Sequence, residues 1–482
     1  MSQLALWLVL AASLAAAGCA TLPRQGAQAR ITESYAMGRA VSSALDSAEF
    51  TTGDWPDTTW WRAFGDTQLD RLLAEALDRN PDLKIAAARV RLAEQQAAVL
   101  RAATRPALSL DADASRQRLS ANGLIPPPLG GSTLTQGEGF LNLDYDLDWW
   151  NRNGAALEAG LDEARAAAAG AAAARLVIST AVAQAYFALQ GDLGRLGVAR
   201  DALAQRRTAQ RLIDLRVGRG IEGALAARQA EAEAADGETA VIALERQVDA
   251  DKVQLAALIG RGPDAAASFE VPHAATGQPF PLPRELSLDL LGRRPDLTAL
   301  RWRVAAAAQR IGVAKAGFYP NINLAAFAGL QSITLGQLLS RDSLAGSAGF
   351  ALHLPIFEGG RLRAELNARY AEYDIAAEQY NRGLLDAVRD VAQRLAQLRS
   401  AAERQVPQQK ALAAARQAYD LALLRYRHGL TDYLGVLAVQ RDLLAQRRQQ
   451  VDLAQARLQS TVALIEALGG GYRAAPAAAA SH

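Results

Sequence analysis

The sequence predicts a mainly α-helical chain with a transmembrane β part, built as an internal duplication. Three observations predict this class. Matching motifs recur about 210 residues apart, four runs alternate polar and apolar residues, and two helix patterns extend for about 70 residues. Hydrophobic residues make up 50% of the chain but aromatic residues only 6%, and alanine dominates the apolar content. Alanine forms helices well but buries little surface, so we expect long, closely packed helices rather than a compact enzyme core.

The charge balance and cysteine content exclude several functional classes. The 482 residues include 52 basic and 50 acidic side chains, which gives a net charge of +2. Bulk charge therefore gives no support to nucleic-acid binding, and we expect no nucleic-acid partner. A single cysteine excludes a disulfide framework or a cysteine-rich metal site.

The amino terminus, residues 1–18, reads as a signal peptide. Leu4–Ala17 is apolar or small and too short to span a bilayer, and Gly18-Cys19 follows it directly. A cysteine in this position resembles a lipobox, so we expect Cys19 to be acylated and to become the mature amino terminus. Ala20 in place of aspartate implies the outer membrane under the enterobacterial sorting rule. The alternative is an ordinary signal peptide with an incidental cysteine.

The duplication sets the domain organisation. Asn80–Leu83 matches Arg294–Leu297, and Arg216–Gly220 matches Arg425–Gly429. Each half has the same order of elements: helix, strand, loop, strand, very long helix, glycine turn and long helix. The predicted segments are an acylated N-terminal and equatorial region at 19–66, a first repeat at 67–260, a linker at 261–286, a second repeat at 287–468 and a tail at 469–482.

Four alternating runs predict half-buried strands, at 107–118, 138–149, 320–331 and 346–355. Each has about the length that crosses a bilayer when tilted. The polar faces of the first two strands carry carboxylates, which water tolerates and a protein core does not. These predicted lumenal residues are Asp111, Asp113, Asp144, Asp146 and Asp148. A soluble sheet packed on helices is the alternative.

Four strands cannot close a barrel, because about eight is the practical minimum. Unpaired strand edges are not viable in lipid, so the chain must combine its strands with those of identical copies. Two copies would supply eight strands, three twelve and four sixteen. The periodicity does not choose among these numbers.

Two long helical hairpins are predicted, at 151–259 and 361–468, with a kink expected at Pro407. Apolar residues step by four and three along the first helix of each hairpin, which is typical of a coiled coil. The two stripes are Val182, Tyr186, Leu189, Leu193 and Leu196, and Leu384, Val388, Val391, Leu395 and Leu398. A solvated rod held by salt bridges would show the same periodicity.

No catalytic or metal-binding motif is present. The sequence has no glycine-rich phosphate loop, no H-E-x-x-H and no G-x-S-x-G. The four histidines, His273, His353, His428 and His482, show no ligand spacing. We therefore expect neither an enzyme nor a cofactor or metal.

Several motifs together resemble one known family. They are Asp144–Arg152, Arg294–Leu297, Gly317–Pro320, Leu354–Arg361, Arg425–Gly429 and Ala467–Tyr472. The chain from Trp60 to Tyr472 resembles the TolC-like outer-membrane efflux factors, and most closely their acylated OprM/NodT-type branch. The resemblance implies a homotrimer with a twelve-stranded β-barrel in outer-membrane lipid and a twelve-helix tunnel across the periplasm.

The resemblance also implies a function. It implies a passive duct that exports drugs or other small solutes, joined by a periplasmic adaptor to an inner-membrane pump, most often of the resistance-nodulation-division type. Two alternatives are a type I-like duct for proteins or peptides and a periplasmic adaptor or structural coiled-coil lipoprotein. The implied periplasmic gate residues are Tyr426, Leu434, Arg441 and Leu225, and the implied adaptor-contact residues are Gly218, Gly220, His428 and Gly429.

Overall fold

The computed structural model describes residues 26–47, 49–274, 280–283 and 290–474. Its helices are α1 (Gly38–Leu45), α2 (Thr67–Arg79), α3 (Pro81–Ala102), α4 (Arg152–Gly218), α5 (Ala224–Leu258), α6 (Leu290–Arg293), α7 (Pro295–Ala316), α8 (Arg361–Arg427) and α9 (Tyr433–Ala467). Its strands are β1 (Phe50–Thr52), β2 (Ala107–Arg118), β3 (Thr133–Asp146), β4 (Phe280–Leu282), β5 (Asn321–Ser332) and β6 (Leu344–His353). The chain divides into two compact units, described separately below.

The first unit contains a four-stranded antiparallel sheet and comprises residues up to Ile31, Arg89–Ala167 and Leu300–Tyr380. The strand order is β2-β3-β5-β6, so β2 and β6 form the two edges. In the register, Leu110 lies opposite Leu141, and Leu324 lies opposite Phe350. Cross-strand partners share a face, so the alternating apolar residues of all four strands form one face of the sheet, whereas Phe140 and Phe327 lie on the opposite, polar face.

The second of the four alternating runs, predicted as a strand at 138–149, differs most from the structure. β3 begins at Thr133, because Thr133–Gly137 continues the ladder with β2, and this shortens the connecting loop. It ends at Asp146, because Asp148 (φ 46°) and Asn151 (φ 56°) take left-handed conformations that cannot continue an extended strand. The other three strands begin and end within two residues of the predicted bounds.

The second unit contains the helical hairpins and comprises Thr32–Ala88, Ala168–Ala299 and the chain from Asn381 onward. The long helices α4 and α8 have 67 residues each, and their return helices α5 and α9 have 35 each, as a duplication requires. Helix α8 continues through Pro407. A two-stranded parallel sheet of β1 and β4 completes the unit.

The predicted heptad stripes form the core of the second unit. The members buried in one cluster are Val182, Tyr186, Leu189, Leu196, Val391, Leu395 and Leu398, and Leu193 and Val388 pack against it; Leu384 is fully buried outside this cluster. The phenolic hydroxyl of Tyr186 donates to Asp66 Oδ2 at 2.7 Å, which satisfies this polar group inside the apolar core. Periodicity therefore identifies the helix faces that pack together.

Two glycines of α4 let α9 approach closely. A Cβ at Gly194 would lie 2.9 Å from Val451 Cγ1, and one at Gly191 would clash with Gln455. Glycine in a helix interior disfavours the helix locally, yet α4 is continuous here. The contact with α9 therefore offsets the low helix propensity of these glycines.

Next to these glycines, a buried carboxyl pair joins α4, α5 and α9. Asp251 lies against Asp192, and burial together with this neighbour raises the pKa of Asp251 to about 6. Arg195 pairs with Asp192 and also binds Asp452 Oδ1 at 2.7 Å and Gln455 Oε1 at 2.7 Å. One guanidinium thus links the buried acidic pair of the first hairpin to the second hairpin.

Substituting Asp251 by Asn is expected to raise the apparent Tm by roughly 1–3 °C at pH 7.5, with a smaller effect at pH 4.5. The folded-state pKa of about 6 lies above the ordinary value of 3.8, so the folded chain favours the protonated carboxyl. Stability is therefore lost as the pH rises from about 4 through about 6. Circular dichroism melts of the detergent-solubilised protein measure the change. Asp249→Asn, on an exposed position of α5, is the control. Equal gains at both pH values would contradict the assignment.

Candidate functional site

The two hairpin turns have the same backbone structure. Gly220 (φ 67°) and Gly429 (φ 71°) are left-handed, and the amides of Ile221 and Leu430 each donate to the carbonyl five residues earlier at 2.9 Å. These are Schellman motifs, in which glycine ends a helix without steric cost. Gly218 is the last residue of α4, and His428 lies exposed in the turn. All four adaptor-contact candidates are exposed, and their contact with an adaptor stays a prediction.

Tyr426 does not have the position that a lumen-facing gate residue needs, and the prediction is corrected here. Its side chain is 1% exposed within a single chain, packed against Ile213 and Tyr433. The guanidinium of Arg216 lies 4.9 Å from its ring centroid. Burial, and then the charge of Glu222, raises the pKa of Tyr426 to about 12. Tyr426 therefore holds the two turns together, and sequence periodicity could not show that Arg216 covers it.

Leu225 and Leu434 occupy equivalent positions near the starts of α5 and α9. They are 69% and 49% exposed, respectively, so contacts within the chain bury only part of each side chain. Such leucines are available to face a lumen or a neighbouring copy. The gate role of this pair stays a prediction.

Arg441 belongs to a cluster that sequence reasoning found only in part. It pairs with Glu233 of α5, and Glu233 also binds Arg206 of α4 at 3.1 Å. Arg206 donates to the backbone carbonyl of Glu233 as well, at 2.8 Å. The Glu233 side chain is only 12% exposed. We call Arg206, Glu233 and Arg441 the tip ion cluster. It connects the second hairpin to both helices of the first.

The acidic residues of β2 and β3 share one face of the sheet. Asp113 lies opposite Glu138 and Ala107 opposite Asp144, while Asn142 donates to Asp111 Oδ2 at 2.6 Å. The register thus places Asp111, Asp113, Asp144 and Asp146 on the polar face, with Glu138 as a further carboxylate. Alternation along β3 was the signal that could have identified Glu138, which falls at the first residue of the predicted run.

Asp148 is not on this face, and the prediction that it lines the strand is corrected. β3 ends before it, and its carboxylate accepts the backbone amides of Asn153 at 2.9 Å and Gly154 at 2.8 Å. A carboxylate on the free amides of a helix N-terminus is a stabilising cap. Asp148 therefore begins α4 rather than extending the acidic face.

The remaining predicted residues are placed as follows. Cys19 lies outside the described residues. His353 lies opposite Asn321 in the register of β5 and β6, on the polar face. Within the part of the chain that the structure describes, no group of three or more His, Cys, Asp or Glu side chains could hold a metal ion.

A duplicated chain with four bilayer-length strands, one carboxylate-bearing sheet face and two long helical hairpins has the architecture of an outer-membrane channel subunit. The model of the outer membrane efflux protein family matches residues 72–261 and 286–470. The chain therefore belongs to this family, and it is the outer-membrane channel component of a tripartite efflux system.

Individual relatives agree with this assignment. The chain is 30% identical to the multidrug resistance outer membrane protein MdtP of Escherichia coli K12, over 99% of this chain and 98% of MdtP. It is 38% identical to the fusaric acid resistance protein FusA of Burkholderia cepacia, over 75% of this chain and 68% of FusA.

Solved structures agree as well. The outer membrane protein VceC of Vibrio cholerae is 37% identical and superposes with a TM-score of 0.82, covering 87% of this chain and 100% of VceC. Such neighbours are trimeric efflux channels with a helical tunnel and a β-barrel part. The fold predicted from the sequence is thereby confirmed.

Substituting Glu233 by Gln is expected to increase single-channel conductance in planar bilayers by roughly twofold or more. The substitution preserves shape but leaves Arg206 and Arg441 without their shared counter-charge. Glu231→Gln, an exposed glutamate of α5 paired with Arg228, is the matched control. Unchanged conductance in the Glu233 variant would show that the tip ion cluster does not restrain the channel.

Neutralising Asp111, Asp113, Glu138 and Asp144 as amides is expected to weaken cation preference. Under a tenfold KCl gradient, the reversal potential should move toward zero by on the order of 10 mV, because these carboxylates share the polar face of the sheet, which we expect to line the ion path. Asp264→Asn, outside the sheet on an exposed turn, is the control. An unchanged reversal potential would mean that the acidic face does not line the ion path.

Proposed function

We propose that the protein is a homotrimeric duct for small organic molecules, restrained at rest by the tip ion cluster and by Leu225 and Leu434. It would receive its cargo from an inner-membrane pump of the resistance-nodulation-division type through a periplasmic adaptor at the two Schellman turns. An acylated Cys19 would add a lipid anchor in the outer membrane. Relatives named for multidrug and fusaric acid resistance support small-molecule cargo.

The observation that carries the proposal is the position of Glu233. Glu233 is nearly enclosed and is bound by arginines from both hairpins, so the hairpins cannot separate there without exposing or replacing an ion pair. The tip ion cluster holds the two hairpins together, while Leu225 and Leu434 remain exposed. This combination fits a channel end that is closed at rest and can open.

The sheet needs partner strands from other copies, and a trimer supplies them. Its edge strands β2 and β6 have 12 and 10 residues, and neither has a partner on its outer side within the described chain. Three copies would join β2 of one chain to β6 of the next and close a twelve-stranded barrel. The fold and the family are those of channel proteins rather than enzymes.

The deciding experiment is antibiotic susceptibility of a strain lacking this gene, compared with strains lacking individual inner-membrane pumps and with the double deletions. A duct predicts that the deletion sensitises cells to small drugs and that one pump deletion adds no further effect. If susceptibility stayed the same while a secreted protein disappeared from the medium, the cargo would be protein instead.

The double substitution Leu434→Ser with Arg441→Ala is expected to make complemented cells permeable to a large water-soluble antibiotic, with a several-fold lower inhibitory concentration. It removes the exposed leucine of α9 and the link from Arg441 to Glu233 together. Arg228→Ala, a highly exposed arginine of α5, is the control. Wild-type permeability and conductance of the double variant would refute the gate assignment.

A further inference from the structure

A cavity of about 410 Å³ lies in the first unit, where the strands end and helices α4 and α8 begin. Its lining includes Trp150, Arg152, Tyr319, His353, Arg361 and Arg369. The channel function described above uses none of these side chains. Cavities of this size that combine aromatic walls with a few charged groups are the usual form of small-molecule sites.

The aromatic wall is held in place before any ligand arrives. Trp150 stacks on Tyr319 with ring centroids 4.5 Å apart and an interplanar angle of 19°. Its indole Nε1 donates to the carbonyl of Pro320 at 2.8 Å, yet the residue remains 46% exposed. An indole that is fixed and exposed loses little entropy when a ring stacks on it.

The backbone around this wall is unusual. The tandem tryptophans Trp149 and Trp150 lie between Asp148 and Asn151, both left-handed non-glycine residues. Asp and Asn tolerate this conformation better than other side chains, but such residues concentrate at binding sites. Here the two conformations end β3 and present both indoles before α4 starts.

Among the charged side chains that line the cavity, the guanidinium of Arg152 is the group available to bind a charged ligand. Asp148 is occupied by the amides of Asn153 and Gly154. Glu358 and Glu365 both bind Arg361, at 2.9 and 2.8 Å. Among the described residues, no carboxylate lies within 4.0 Å of the Arg152 guanidinium, which is exposed. The cavity can therefore offer a planar guanidinium to an anion but no free carboxylate to a cation.

We propose that this cavity binds planar aromatic carboxylates, with the ring against Trp150 and the carboxylate on Arg152. Arginine matches the two oxygens of a carboxylate, and a neighbouring aromatic face orients the ring. This inference depends on the proposed duct function only for the route by which a ligand would reach the cavity. Asn321 and His353, which also line the cavity, lie opposite each other on the polar face of the sheet, so a ligand would arrive from the water-filled side.

The test uses the full-length protein, purified as its detergent-solubilised oligomer, and three naphthalene probes in isothermal titration calorimetry. These are 2-naphthoate, the neutral 2-naphthalenemethanol and 2-naphthylmethylammonium. We expect 2-naphthoate to bind most tightly. Arg152→Gln should weaken 2-naphthoate at least tenfold and the neutral probe less than twofold. Trp150→Leu should weaken both, and Trp150→Phe should retain most of the binding because it keeps a stacking ring.

Arg382→Gln, a highly exposed arginine of α8, is the matched control and should bind like the wild type. Retention of the oligomer on size-exclusion chromatography shows that each variant is folded. Three outcomes would overturn the inference: no binding of 2-naphthoate by the wild type, unchanged binding by Arg152→Gln, or tighter binding of the ammonium probe. The titration needs no adaptor or pump, so its failure leaves the duct proposal intact. Failure of the susceptibility experiment likewise leaves the binding result intact.

Discussion

The unpaired edges of the four-stranded sheet are the constraint on which the rest of the structure depends. β2 and β6 each present a row of backbone amides and carbonyls that a bilayer cannot satisfy, at several kcal/mol for each unpaired group. The chain therefore cannot be stable in a membrane alone, and only other copies can supply matching strands. A barrel closed in this way encloses a lumen, so one face of every strand must be compatible with contact with water. The carboxylates of β2 and β3 are tolerable for that reason.

The same constraint explains why a chain of this length contains so few large side chains. Strands that line a lumen on one side and meet lipid on the other have no core of their own to fill. The helices pack through narrow apolar stripes, and at their closest contacts the side chain is absent, as at Gly191 and Gly194 of α4. Large side chains occur in the packed core instead. Tyr186 is an example, because its ring fills the core and its hydroxyl donates to Asp66.

Periodicity predicts the structural features that depend on residues close in sequence. It does not predict the contacts between residues that are distant in sequence. The heptad stripes, the strand faces and the glycine turns follow from spacing along the chain, and the structure has them where expected. The end of β3 was misplaced because the left-handed conformation of Asp148 comes from its role as a helix cap. The family resemblance, rather than periodicity, places Tyr426 toward a lumen, and nothing in its own segment shows that Arg216 covers it. Glu233 was missed because its partners lie on two other helices.

Duplication produced two similar turns, but the return helices start differently. Asp432 caps α9 by accepting the amide of Gly435 at 3.1 Å, whereas α5 begins after Gly223 with no side-chain cap. An aspartate cap exceeds a glycine cap by only a few tenths of a kcal/mol, so the start of α5 frays slightly more easily than that of α9. Glu233 lies on that same helix and holds Arg441 of the better-capped one. Glu233 lies about two and a half turns beyond the start of α5 and also binds Arg206 of α4, so fraying of the first turn leaves the tip ion cluster in place.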